Sequence, residues 1–146
     1  MNYNNAYAAY RDTNVKTASQ GKLIVLLYEG AIKNLRAAQS CFNSENKVEP
    51  KDIEKFGNFI MKTQDIINEL QVSLDMDKGG QISQNLMSLY VYFNQELMTA
   101  NINKDKQKIE FVLNMLTQLN EAWVTASNSQ ANAPAQPVQR TLNIQG

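Results

Sequence analysis

The sequence predicts an all-α fold: an antiparallel up-down four-helix bundle with a short N-terminal helix and a disordered C-terminal tail. Three observations favour it. Apolar residues recur at spacings of three and four through four long segments. No segment shows the alternation with a period of two that is typical of strands. The breaks between the segments are short, and short connections make neighbouring helices antiparallel.

The first element predicted is a short, loosely held N-terminal helix within residues 1–14. This stretch is polar but carries tyrosines at positions 3, 7 and 10. Spacings of four and three place all three rings on one face of a helix.

The first bundle helix is predicted in "TASQGKLIVLLYEGAIKNLRAAQSCF" (17–42), with Ser19 as its N-cap. Two adjacent apolar stripes run along it, one through Leu23 and Leu27 and one through Ile24 and Tyr28. A face of that width is typical of a helix packed on two sides. "NSENKVEP" then breaks the pattern, and Pro50 is expected in the first turn of the next helix, where its missing N–H has no consequence.

The other three helices show one apolar stripe each. The stripes run from Ile53 to Leu74, from Ile82 to Ala100 and from Ile109 to Ala126, with spacings of three and four. The bundle domain is therefore predicted at 1–126. From residue 127 onward two prolines and few large apolar residues predict a flexible tail, 127–146.

The stretch "LDMDKGGQIS" (74–83) has the look of a calcium loop. An EF-hand needs an oxygen ligand at its fifth position and a bidentate glutamate at its twelfth. Counted from Asp75, these positions are Gly79 and Leu86. The sequence therefore predicts a helix C-cap and turn in which Gly79 or Gly80 adopts the left-handed conformation.

Composition excludes several classes of function. Histidine is absent, which removes the commonest general base and metal ligand, so we expect no enzyme, metal or other cofactor. Fourteen basic and fourteen acidic residues give a net charge of zero, which does not favour nucleic acid. No apolar run approaches the ~20 residues that cross a bilayer, so no membrane insertion is expected. A single cysteine and an N-terminus unlike a signal peptide favour the cytoplasm.

The helices carry more aromatic residues than one core stripe each requires. Tyr28, Tyr90, Tyr92 and Phe93 widen the stripes, and two interpretations stay open. The tyrosines lie at the margin of the core with wet hydroxyls, or they line an outer groove that holds an amphipathic helix of a partner. The N-terminal tyrosines either tether the N-terminus or cover such a groove.

The tail contains one apolar pattern. Val138, Leu142 and Ile144 have spacings that could dock in the same groove, against the simpler interpretation of a disordered tail.

Four stretches of the chain resemble the flagellin-specific flagellar export chaperones of bacteria. They are "AYAAYRDTNVKTAS" (6–19), "LIVLLYEGAIKNL" (23–35), "INELQVSLDMDKGGQISQNLMSLYVYFNQELMTAN" (67–101) and "DKQKIEFVLNMLTQLNEAW" (105–123). The chain departs from the family after Ser19, where "QGK" replaces a proline and two acidic residues, and its tail beyond Trp123 is long.

The resemblance implies a cytosolic chaperone that binds the disordered C-terminal region of flagellin one to one. It would prevent premature polymerisation and support delivery to the flagellar type III secretion apparatus, with export-gate components as further partners. The partner-binding residues expected on this basis are Tyr7, Tyr10, Ile24, Leu27, Tyr28, Tyr90 and Phe93. The alternative function is a structural or signalling adaptor that self-associates through its broad apolar face.

Overall fold

The computed structural model describes residues 20–132 and contains four long α-helices in this range. They are α1 (Gln20–Gln39), α2 (Ile53–Ser73), α3 (Gly80–Asn103) and α4 (Lys106–Asn132). Each helix packs against two neighbours in the cyclic order α1, α2, α3, α4, and the diagonal pairs make no backbone contact. The predicted up-down four-helix bundle is therefore confirmed. The predicted N-terminal helix lies outside the described residues.

The end of α4 corrects the boundary that was predicted for the tail. The helix continues to Asn132, so residues 127–132 are helical although the tail was expected to begin at 127. Their sequence, "SNSQAN", is polar but contains neither glycine nor proline, and Pro134 is the first residue that cannot continue a helix. The low apolar content of these residues indicates that the buried stripe has ended, not that the helix has ended.

The connection before α2 is held by its own polar groups. The Asn43 carboxamide oxygen accepts hydrogen bonds from the backbone N–H groups of Glu45 and Lys47, at 2.9 and 3.1 Å. A single antiparallel bridge pairs Phe42 with Val48. Pro50 opens a 3₁₀ turn (Pro50–Asp52) that leads into α2, as its position predicted.

The connection between α2 and α3 contains a left-handed glycine, as predicted, but this glycine does not cap α2, because the C-cap residue of that helix, Leu74, has an extended conformation. Gly80 has φ +55° and opens α3, whereas Gly79 is right-handed. Gly79 is required for space, because a Cβ there would overlap the Ser83 hydroxyl and the Asp75 carbonyl oxygen. The Asp75 carboxylate accepts the backbone N–H groups of Asp77 and Lys78. It therefore caps a turn.

The core fills the space between the helices with aliphatic and aromatic side chains. Its largest fully buried members come from all four helices: Tyr28, Leu35, Phe56, Ile60, Ile66, Ile67, Leu70, Tyr90, Phe93, Leu97, Ile109 and Leu116. The two buried hydroxyls outside the tyrosines are satisfied by backbone carbonyls. Thr63 donates to Phe59 and Ser83 donates to Asp75, both at 2.9 Å.

Candidate partner-binding surface

Five residues that were expected to face a partner lie inside the bundle. Their exposed fractions are between 0 and 7% for Ile24, Leu27, Tyr28, Tyr90 and Phe93. They pack between the helices, so direct contact with a partner would require the bundle to open, and their binding of a partner remains a prediction. Tyr7 and Tyr10 lie outside the described residues, and their contact with a partner remains a prediction.

The two buried tyrosines satisfy each other. The hydroxyl oxygens of Tyr28 and Tyr90 are 2.6 Å apart, and the rings lie at 6.4 Å between centroids. Burial raises the pKa of Tyr28 to about 12, and the hydrogen bond with Tyr90 offsets it only in part. Burial also raises the pKa of Tyr90 well above its ordinary value, and the adjacent Tyr28 adds to it. Both phenols are neutral at physiological pH.

Trp123 completes this polar cluster from α4. Its ring lies 6.4 Å from that of Tyr28. The indole N–H is buried and donates a hydrogen bond to no acceptor among the described residues. The cluster thus leaves one donor without a good acceptor, which is typical of a position held by packing and not by a complete network.

Exposed apolar residues do occur in the segments that were singled out, but at neighbouring positions. Leu26 is 48% exposed, between the buried Ile24 and Leu27. Val91 and Tyr92 are 41 and 44% exposed, between Tyr90 and Phe93. These segments therefore expose apolar side chains one position away from the buried residues on each helix.

Helix α3 exposes apolar side chains on its outer face as well as burying them in the core. Val91, Met98 and Ile102 are spaced seven and four residues apart, so they share one side of the helix. All three are substantially exposed, and Ile102 reaches 72%. The exposed Gln95 lies between Val91 and Met98 on the same side, so this face mixes apolar and polar residues.

The α3 face borders a cleft of about 500 Å³ against α2, here called the α2–α3 cleft. Methionines form its apolar rim, with Met61 on α2 and Met98 on α3 at 56 and 55% exposure. Its floor is an amide network, in which Asn94 donates to Asn68 at 2.9 Å and Gln64 donates to the Asn94 carbonyl at 3.3 Å. The Asn94 carboxamide oxygen is buried and has no hydrogen-bond partner in the described residues.

A second apolar feature lies between α3 and α4, here called the α3–α4 seam. The rings of Tyr92 and Phe111 pack edge to face with centroids 6.0 Å apart, and both are more than 40% exposed. One turn away, the Lys108 ammonium pairs with the Glu96 carboxylate at 3.2 Å. α3 and α4 make the least extensive contact of the four neighbouring pairs.

A third feature, the α1–α4 cleft, lies where α1 begins and α4 ends. It has a volume of about 260 Å³ and is lined by Lys22, Val25, Leu26, Val124, Ser127 and Asn128. The exposed Leu26 is its largest apolar side chain.

These surfaces have features that are typical of sites for a protein chain. Within residues 20–132, no group of three or more Cys, Asp or Glu side chains is placed to hold a metal ion. None of the described helices combines the length and apolarity needed to cross a membrane. Flexible methionine rims adapt to apolar side chains of varied shape, and grooves between helices take amphipathic helices.

Comparison with known proteins decides the family. The family model described as Flagellar protein FliS matches residues 3–130. The chain belongs to this family. The FliS match spans all four helices, so the bundle and its surfaces lie inside the region shared with the family.

Individual FliS relatives agree with the family match. The flagellar secretion chaperone FliS of Campylobacter jejuni subsp. jejuni serotype O:6 is 33% identical over 133 residues, which cover 91% of this chain and 99% of the relative. FliS of Bacillus subtilis (strain 168) is 31% identical over 130 residues, covering 89% and 92%. FliS of Salmonella typhimurium (strain LT2) is 36% identical over 113 residues, covering 77% and 79%. Membership in this family supports a chaperone role in flagellar export.

Proposed function

We propose that this chain binds the C-terminal region of flagellin one to one in the cytosol, prevents its premature polymerisation and supports its delivery to the flagellar type III secretion apparatus. The proposal joins the FliS family membership to the exposed apolar faces of the bundle. Binding without catalysis is the activity proposed. Export-gate components are proposed as further partners.

The observation that carries this proposal is the outer face of α3. Val91, Met98 and Ile102 expose apolar area on a helix whose opposite side already fills the core. Apolar surface transferred from water stabilises a complex by roughly 25 cal/mol per Å². A partner that covers this stripe and the methionine rim of the α2–α3 cleft removes that area from water, and only the part of this free energy that exceeds the entropy lost on association stabilises the complex.

The distribution of the exposed apolar residues favours a long, wrapping partner. They lie on all four helices: Leu26 on α1, Ile53, Met61 and Val72 on α2, Val91, Tyr92, Met98 and Ile102 on α3, and Phe111 on α4. A segment that orders on binding must cover a large area, on the order of 1,000–3,000 Å², to offset its lost conformational entropy. Surfaces spread around a bundle provide such an area.

Self-association, the alternative function, is less well supported. A symmetric dimer uses one self-complementary patch on each copy. The exposed apolar residues of this chain are divided among several faces. We therefore keep the adaptor function as the outcome to be tested and not as a second proposal.

Calorimetry with a flagellin C-terminal fragment tests the proposal. We expect a 1:1 complex and a negative heat-capacity change on the order of a few hundred cal/mol/K, because apolar area is buried. Substituting Met61→Asp and Met98→Asp together places two charges at the rim and should weaken binding at least tenfold.

Leucine at the same two positions is the matched control, since it keeps the rim apolar. Both methionines are more than half exposed, so neither variant should alter the free energy of unfolding by more than about 0.5 kcal/mol. Absence of heat with the wild-type chain, together with a concentration-dependent mass by light scattering, would instead support the adaptor function.

A further inference from the structure

The α1–α4 cleft is small for an independent partner. At about 260 Å³ it lies below the range of roughly 300–1,000 Å³ that is typical of sites for small molecules. Val25, Leu26 and Val124 line it, so one or two aliphatic side chains fit where a whole helix does not. A short extended segment is the occupant that this geometry favours.

This chain itself provides such a segment at the right place. Helix α4 ends at Asn132, one turn beyond Asn128 at the edge of the cleft. From Asn132 back to the level of Val124 is about 12 Å along the helix axis. The six residues from Asn132 to Val138 span up to about 20 Å when extended. Val138 can therefore reach the cleft.

Charge complementarity singles out the segment after Pro137. In an extended chain Val138 and Arg140 point to the same side. On the helices, Glu29 follows Leu26 by three residues and Glu121 precedes Val124 by three. Helical spacing places both carboxylates on the cleft side, one turn deeper.

Both carboxylates are available for an ion pair. Glu29 and Glu121 are exposed, and neither pairs with a cation among the described residues. Arg140 is the cationic residue of the segment after Pro137.

We infer that residues 137–142 of this chain occupy the α1–α4 cleft of the same molecule, with Val138 between Leu26 and Val124 and with Arg140 facing Glu29 and Glu121. The short connection to α4 makes this an intramolecular contact with an effective concentration in the millimolar range, so a weak interaction suffices. The inference does not depend on flagellin binding.

Methyl NMR spectra of the full-length protein test it without any partner. Val138→Asp and Arg140→Glu should each shift the methyl signals of Val25, Leu26 and Val124 and leave those of the core residue Leu97 in place. Gln139→Glu is the matched control, because its side chain points away and it changes the charge near Arg140; it should leave the cleft signals unchanged. Combining Arg140→Glu with Glu29→Lys and Glu121→Lys should restore the wild-type cleft signals, since the charges are exchanged.

Three results would overturn the inference. If no tail substitution shifts the cleft signals, residues 137–142 do not occupy the cleft. Cleft signals that instead respond to deletion of residues 2–18 would assign the cleft to the N-terminal segment. Shifts that depend on protein concentration would assign the contact to a second copy of the chain.

Discussion

The hydroxyl oxygens of Tyr28 and Tyr90 lie 2.6 Å apart and join α1 to α3 across the diagonal of the bundle. These two helices make no backbone contact with each other, so the pair is a direct polar link between opposite corners. Both side chains are buried, and water cannot replace the hydrogen bond if one partner is lost.

Removing both hydroxyls should therefore destabilise the bundle by less than the sum of the two single removals. Tyr90→Phe and Tyr28→Phe should each lower the free energy of unfolding by about 1–2 kcal/mol, because the remaining hydroxyl is left buried and unpaired. The double variant should lose clearly less than the sum of the two. Urea unfolding at pH 7 measures these changes. Tyr92→Phe, at an exposed position, is the control, and its free energy of unfolding should stay within about 0.5 kcal/mol of the wild type. Simple additivity would show that the hydroxyls do not interact in solution.

The same pair predicts loss of stability at alkaline pH. The pKa of Tyr28 is raised to about 12 in the folded chain, above the ordinary value of 10.0, and that of Tyr90 is raised as well. Between these values the folded state holds the phenolic proton more tightly than the unfolded state does. The contribution is therefore fully present below pH 10 and is lost as pH rises from about 10 to 12. Unfolding measured across this range should show a steeper loss for the wild type than for Tyr28→Phe/Tyr90→Phe, and equal slopes would contradict the assignment.

The helices and turns could be predicted because their signals are local. Pro50 and Gly80 act through their own backbone angles, and the apolar spacings within each helix reflect its own geometry. The end of α4 was missed because "SNSQAN" has no stripe, although nothing in it stops a helix. The periodic apolar pattern marks only the buried residues of a helix, and the helix itself can extend beyond them.

The orientation of the aromatic residues could not be predicted from local patterns. Tyr28 and Tyr90 are 62 positions apart, and only their pairing across the core removes the need for water at each hydroxyl. Without that pairing a tyrosine is expected at the margin of the core. Leu26 and Tyr92, the neighbours that do face solvent, differ from the buried positions by a rotation of about 100°.

Two glycines should respond oppositely to alanine. Gly57 lies inside α2, and a Cβ there meets nothing closer than the Asn101 carboxamide oxygen at 3.6 Å. Gly57→Ala should therefore stabilise by about 0.5–1 kcal/mol through helix propensity. Gly79→Ala should destabilise by more than about 1 kcal/mol, since the added methyl overlaps Ser83 and Asp75. Thermal unfolding followed by circular dichroism compares them, and a stabilised Gly79→Ala would show that this turn differs from the structure.

Lys104 closes α3 in a conformation that favours glycine. Its φ is 53°, and its ammonium donates to the Asn101 carbonyl and lies 5.7 Å from the centre of the Phe56 ring. Lys104→Ala loses these contacts and keeps the strained backbone, whereas Lys104→Gly loses the same contacts and relieves the strain. The glycine variant should be the more stable of the two by about 1 kcal/mol in urea unfolding. An alanine variant of equal stability would place the left-handed residue elsewhere in the turn.

The α3–α4 seam should matter more for binding than for folding. Tyr92 and Phe111 are each more than 40% exposed, so Tyr92→Ala and Phe111→Ala should each lower the free energy of unfolding by only about 1 kcal/mol, mostly through the lost ring contact. If the flagellin C-terminal region covers this seam, each substitution should weaken its binding about tenfold or more, because an aromatic side chain at the centre of an interface contributes strongly. Phe111→Leu is the matched control, as it keeps most of the apolar area. Calorimetric titration and urea unfolding of the same variants separate the two effects. Alanine variants that bind as tightly as the leucine variant would place the partner on the α2–α3 cleft and the outer face of α3 alone.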